Sequence, residues 1–210
     1  MLFRGLPLEY LIILAPVLLF SLCFHEFSHA YIANKLGDNT AKRLGRLNIS
    51  PLNHLDPMGT FMLLIVGFGW AKPVPVNPYN LKNPKKDMML IAAAGPISNL
   101  ILALIGSLLM RFLPYSIISS FLEVFYLFIY INIALAIFNL IPLPPLDGSQ
   151  IISGLIPYHK QDLLNKIHQY GPNILMGLIF IGIFTKINII HIVMSPFINF
   201  FLYLFLGSNV

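Results

Sequence analysis

Residues 10–29 read Tyr10-Leu11-Ile12-Ile13-Leu14-Ala15-Pro16-Val17-Leu18-Leu19-Phe20-Ser21-Leu22-Cys23-Phe24-His25-Glu26-Phe27-Ser28-His29. Nothing from Tyr10 to Phe24 carries a charge, and then three ionisable side chains arrive within five positions. On a helix, residues i and i+4 share a face, so His25 and His29 can offer ring nitrogens to one point while Glu26 stands beside it. Ionisable groups in an apolar helix are costly unless something compensates them. A divalent cation compensates all three, and His-Glu-x-x-His on a helix is the zinc-hydrolase arrangement in which the glutamate is the general base. His25 and His29 are therefore candidate metal ligands, and Glu26 is the candidate catalytic base.

The surroundings of this stretch decide the class of protein. Of 210 residues, 57% are hydrophobic and only 10% charged, against about 25% charged in soluble domains; mean hydropathy is +0.79. Uncharged stretches run from Tyr10 to His25, Met88 to Met110, Val124 to Leu146 and Ile167 to Thr185, and again from Ile187 to Val210. An α-helix needs about 20 such residues to cross the hydrocarbon, so the chain is expected to be an all-α polytopic membrane protein with about 4–6 transmembrane helices. The first span runs into the histidines without a small-residue cleavage site, so it is expected to stay in the mature protein. Cys23 is the only cysteine, so neither a disulfide nor a cysteine metal cluster is available.

The net charge of +5 does not indicate a nucleic-acid partner, because the basic residues sit in short loops between apolar segments. With the N-terminus outside the cytoplasm, Lys35, Lys42, Arg43, Arg46, Lys72, Lys82, Lys85, Lys86, Lys160 and Lys166 fall inside, and of the 13 basic residues only Arg4, Arg111 and Lys186 fall outside. The positive-inside rule selects that orientation, in a cell membrane, with the candidate site toward the cytoplasmic side.

Along the chain, a helix is expected from about Pro7 to Leu36, bent by Pro16 and stopped by Gly37. The apolar patch Met58 to Trp70 is too short to span, and Gly59, Gly67 and Gly69 argue for turns. It predicts a membrane-embedded β-like hairpin or sheet, or a re-entrant loop dipping into the protein, allowed only where other elements satisfy its backbone. Further helices are expected over Asp87 to Phe112, Ile117 to Leu140 and Gly148 to Leu155, with Pro142, Pro144 and Pro145 forcing an extended segment between the last two. A polar loop from Pro157 to Tyr170 leads to one or two spans after Gly171, separated near Lys186 to Asn188. No repeat divides the chain, which reads as one domain over 1–210, with a catalytic core about 7–155 and C-terminal membrane segments about 171–207.

A catalytic zinc site usually has three protein ligands. Asp147 is the only acid between Glu123 and Asp162, and it lies at the cytoplasmic end of its helix, the depth expected for His29. Alone, Asp147-Gly148 reads as a turn pair; beside the first motif it completes a His, His, Asp set for one zinc ion per chain. The chemistry that follows is metal-assisted peptide hydrolysis with Glu26 moving the proton.

Together, His25-Glu26-Phe27-Ser28-His29, the stretch from Phe68 through Trp70-Ala71-Lys72-Pro73-Val74-Pro75-Val76-Asn77-Pro78, Ala94-Gly95-Pro96-Ile97-Ser98-Asn99, and Asn139 through Asp147-Gly148 resemble the site-2 protease family of intramembrane zinc metalloproteases. The likeness is to minimal members without a PDZ or CBS domain. It implies regulated cleavage within or near transmembrane segments of other membrane proteins in the lipid bilayer. It also implies a membrane-embedded sheet over Gly59 to Pro78 that receives a substrate strand, and places Asn99 and Asn139 in substrate holding or oxyanion stabilisation. His54 is a candidate regulatory ligand. Two rival readings fit less well. A metal transporter would line several helices with polar residues, and a non-catalytic scaffold has no need of Glu26 or Asp147.

Overall fold

The computed structural model describes residues 8–66, 69–185 and 187–207. Arg4, Pro7, Gly67, Phe68 and Lys186, which enter the expectations above, lie outside those residues. In chain order the helices are α1 (Leu8–Leu36), α2 (Thr40–Arg43), α3 (Pro51–His54), α4 (Pro57–Val66), α5 (Pro84–Phe112), α6 (Tyr115–Asn139), α7 (Asp147–Leu155), α8 (Gln161–Thr185) and α9 (Ile189–Leu206). Five of these, α1, α5, α6, α8 and α9, are long and apolar enough to cross a membrane. Among the described residues the chain is thus predominantly helical, with the spans of a multi-pass membrane protein.

Packing centres on α5, which lies against α1, α6 and α7. Without a hydrophobic drive between helices in lipid, small residues set how closely the backbones approach. A Cβ at Gly106 of α5 would lie 3.0 Å from Phe128 and Ile129 of α6, and Ala103, Ile129 and Ile133 are fully buried there with Met194 and Ile198 of α9. Outward-facing Ile97, Ile101, Phe112, Phe180, Phe184, Phe197 and Phe200 are exposed, as befits helices solvated by hydrocarbon rather than water.

The β-like hairpin is corrected. Residues 57–66 form α4, because Asp56 supplies an N-terminal cap through its Oδ1, which accepts from Gly59 N at 2.7 Å, and Pro57 stands where a first helical turn tolerates it. Gly59 serves close approach and not a turn: a Cβ there would collide with the Trp70 carbonyl. The extended residues after it make one antiparallel bridge, Leu55 to Ala71, with Lys72 N donating to His54 O at 2.8 Å. No sheet forms among the described residues. Pro73, Pro75 and Pro78 have no N–H to continue a ladder. The polar loop expected over Pro157 to Tyr170 is corrected as well, since α8 starts at Gln161 and takes in its second half.

The extended segment is pinned instead by side chains. Gly37 leaves α1 with φ +112°, a left-handed turn suited to glycine, and delivers Asp38 into a buried position. The Asp38 carboxylate accepts from Thr40 N (3.0 Å), Thr40 Oγ1 (2.5 Å), Asn80 Nδ2 (2.7 Å) and Asn77 N (2.7 Å). Burial pushes this carboxyl up, but the bonds from Asn80, Thr40 and Asn77 outweigh it and hold it below the ordinary carboxylate range.

Because the folded pKa lies below the unfolded one of about 4, the stability that Asp38 contributes is complete above that value and disappears as pH falls through the folded pKa. Asp38→Ala is expected to cost about 2–4 kcal/mol, seen as a lower thermal midpoint in detergent. The variant should also lose part of the wild-type fall in stability below about pH 4; an unchanged acid limb would remove this role.

Candidate metal centre

His25 and His29 project from α1 with ring centroids 4.6 Å apart and planes at 84°. Counting back from Leu36, they sit roughly 10–16 Å inside the end of α1. Asp147 reaches them from the first turn of α7, a position fixed by its neighbour: a Cβ at Gly148 would run into the carbonyls of Leu140 and Ile141 just after α6. Only glycine lets α7 begin that close. Asp147 Oδ2 stands 3.1 Å from His25 Nε2 and 3.3 Å from His29 Nε2. The three side chains each offer a ligand atom, all within 4.8 Å of one another.

The other ring nitrogens are engaged by acceptors. His29 Nδ1 lies 2.7 Å from Ile91 O, and a carbonyl can only accept, so Nδ1 carries the hydrogen and a neutral His29 directs a lone pair from Nε2. His25 Nδ1 lies 2.6 Å from Asn99 Oδ1, with the same result. When both imidazoles are neutral, their Nε2 lone pairs and a carboxylate oxygen are directed at one position, an arrangement suited to a cation. Tetrahedral zinc with ligand bonds near 2.05 Å spaces its ligand atoms about 3.3 Å apart, and the 3.1 and 3.3 Å separations match that spacing. The residues present therefore fit the metal.

Glu26 stays out of the cluster. Its Oε2 accepts from Val74 N at 3.0 Å, so the extended segment after α4 holds this carboxylate. Of the other expected residues, Asn99 is fully buried, and its Nδ2 donates to Asn132 Oδ1 (2.8 Å) and Ser21 O (3.3 Å). Both amide hydrogens are spent within the bundle, which leaves no donor for substrate. Asn139 is half-buried in the last turn of α6 and donates to Leu135 O at 3.0 Å, with its remaining amide hydrogen uncommitted among the described residues. His54 is buried in α3 with Nε2 at 2.6 Å from Asn48 O, and it does not join the cluster.

The family model described as Peptidase family M50 matches residues 115–183. A protein of Bacillus subtilis named "Putative zinc metalloprotease YwhC" is 43% identical over 172 residues, covering 79% of this chain and 78% of its own. The chain belongs to peptidase family M50, the site-2 proteases. It is also similar to "Putative zinc metalloprotease Rip2" of Mycolicibacterium smegmatis, at 29% identity over 79% of this chain and 66% of the relative. "Zinc metalloprotease MJ0392" of Methanocaldococcus jannaschii is 26% identical over 88% of this chain and 47% of its own length. No solved structure matches. This M50 chain is a membrane zinc metalloprotease, with zinc as its cofactor.

Gly95 lies inside the Ala94–Asn99 motif, where its residue type alone assigns it no role. A Cβ at Gly95 would lie 2.5 Å from His25 Nε2 and His29 Nε2, so α5 can approach the two rings only because this residue has no side chain. The signal was a glycine in the interior of a span, where it otherwise weakens a helix. Gly95→Ala is expected to displace the imidazoles and weaken zinc binding by about 100-fold, measured by chelator competition on detergent-solubilised protein; retained affinity would show that the rings tolerate the methyl group.

Proposed function

We propose that this protein is an intramembrane endopeptidase that hydrolyses peptide bonds within or near transmembrane segments of other membrane proteins, the chemistry of regulated intramembrane proteolysis. His25, His29 and Asp147 are its zinc ligands, one ion per chain, and Glu26 is its general base. The observation that carries this reading is the convergence of His25, His29 and Asp147, with Glu26 one residue from His25 on a helix long and apolar enough to span.

When bound, zinc supplies a Lewis acid that acidifies water toward a pKa of about 7 and polarises a peptide carbonyl. Glu26, steadied through Oε2 by the Val74 N–H, has its other carboxylate oxygen to take the proton of the attacking water and pass it to the leaving nitrogen. Asn139, with an uncommitted amide hydrogen at the end of α6, is the candidate donor to the substrate backbone. His25 and His29 are buried, and a water-poor surrounding strengthens each charge interaction inside.

The chain works as one domain in a cell membrane, its N-terminus outside and the zinc position nearer the cytoplasm, on the basis of the loop lysines and arginines. A substrate segment has to be extended before its carbonyl can reach the metal, since helical carbonyls are occupied.

Purified protein in detergent should hold about one zinc per chain and cleave a model transmembrane substrate. Glu26→Gln should keep the zinc and lose cleavage by about 1,000-fold or more. A wild-type protein without zinc, or a Glu26→Gln variant that still cuts, would overturn the assignment.

A further inference from the structure

The imidazole of His25 presents its lone pair to the metal only if Asn99 turns its oxygen, and not its nitrogen, toward Nδ1. Carbonyl and amino ends of an amide have nearly the same shape, so something must choose between them. That choice can be traced through α1 and α6. Two backbone carbonyls anchor it, because carbonyl oxygens only accept.

Ser21 Oγ gives its one hydrogen to Val17 O at 2.8 Å, so toward any other partner it accepts. Asn132 Nδ2 lies 2.9 Å from Ser21 Oγ and 2.9 Å from Phe128 O. Both positions demand a donor, which uses both hydrogens of the Asn132 amide nitrogen and turns its oxygen the other way. Asn132 Oδ1 then accepts from Asn99 Nδ2 at 2.8 Å, the second Asn99 hydrogen goes to Ser21 O at 3.3 Å, and Asn99 Oδ1 is left facing His25 Nδ1 at 2.6 Å. Ser21, Asn99 and Asn132 are each 0% exposed, so no solvent competes for these bonds.

Resting on the zinc reading of the site, we propose that Asn132 is a positioning residue for His25: a polar relay from the Val17 and Phe128 carbonyls through Ser21, Asn132 and Asn99 sets which ring nitrogen faces the metal. Reversal of the Asn99 amide would set its NH₂ against the ring, place the imidazole hydrogen on Nε2 and block the lone pair. It would also leave two carbonyl oxygens, those of Asn99 and Asn132, face to face. The relay ties α1, α5 and α6 together at the same depth as the metal, and it accounts for three buried polar side chains in spans where each is otherwise a cost.

The test is the zinc dissociation constant of the metal-free full chain in detergent, by chelator competition, for wild type, Asn132→Leu, Ser21→Ala and the control Ile129→Ala. Asn132→Leu keeps the volume and ends the relay. It should raise Kd about 10-fold or more, as loss of a partner behind a ligating histidine does. Ser21→Ala should raise Kd less and in the same direction, and it serves if Asn132→Leu does not fold. Ile129→Ala opens a cavity on the same helix without touching a hydrogen bond, so it should lower the thermal midpoint while leaving Kd unchanged.

Wild-type zinc affinity in both Asn132→Leu and Ser21→Ala, or a rise no greater than that of Ile129→Ala, would overturn the relay while leaving the metal site standing. A wild-type chain that binds no zinc would overturn the metal site itself.

Discussion

Two histidine nitrogens and a carboxylate oxygen brought to one position are the constraint on which the rest of this molecule depends. The Nε2 atoms of His25 and His29 and the Oδ2 of Asp147 sit at 3.1 and 3.3 Å, and the far side of each ring is fixed by an acceptor, Asn99 Oδ1 or Ile91 O. Such a cluster is repulsive in a medium of low dielectric unless a cation fills it. Much of the packing can be read as the means of holding it. Gly95 admits the rings against α5 and Gly148 admits α7 against the end of α6. The buried amides at 99 and 132 spend their hydrogen bonds behind one ligand.

The parts of the fold that were legible in the sequence are those governed by length and hydrophobicity. Helices over Leu8–Leu36, Pro84–Phe112 and Tyr115–Asn139 follow from uncharged runs bounded by proline and glycine. The convergence of His25, His29 and Asp147 was legible because a 3.6-residue period and a lone acid at matching depth carry chemical meaning before any coordinates. The region 57–78 was not. Three glycines in an apolar patch signal turns when each is read for its backbone freedom, yet Gly59 lies in a helix and is small so that Trp70 can pass. A glycine required by a neighbour's backbone cannot be told from a glycine required by its own φ without that neighbour in view.

The same limit explains the reading of Asn99. A polar residue in a span announces that it has a partner but not which partner. Family likeness pointed its amide toward substrate, and in the fold its contacts run to His25, Asn132 and Ser21. Asn132 and Ser21 drew no role from the sequence because neither belongs to a contiguous motif. They are 111 residues apart in the chain, and only the packing of α1 against α6 makes them one unit.

Glu26 poses the opposite problem, for its support comes from outside the helical bundle. A general base must keep its carboxylate within hydrogen-bonding reach of the reacting water, and the group that steadies Glu26 is the N–H of Val74, on a segment that belongs to no helix or sheet. Two buried side chains replace the missing ladder. Arg46 donates to Lys72 O at 2.8 Å and Pro73 O at 3.5 Å, just before Val74, and Asp38 accepts from Asn77 N at 2.7 Å just after it. Pro73 and Pro75 on either side have no N–H and restricted backbones, so Val74 is the one residue of the three able to reach the carboxylate. The polar stretch between α1 and α4 is in this sense part of the site. It holds Glu26 while the helices hold His25, His29 and Asp147, and the two sets meet where α1 carries His25 and Glu26 side by side.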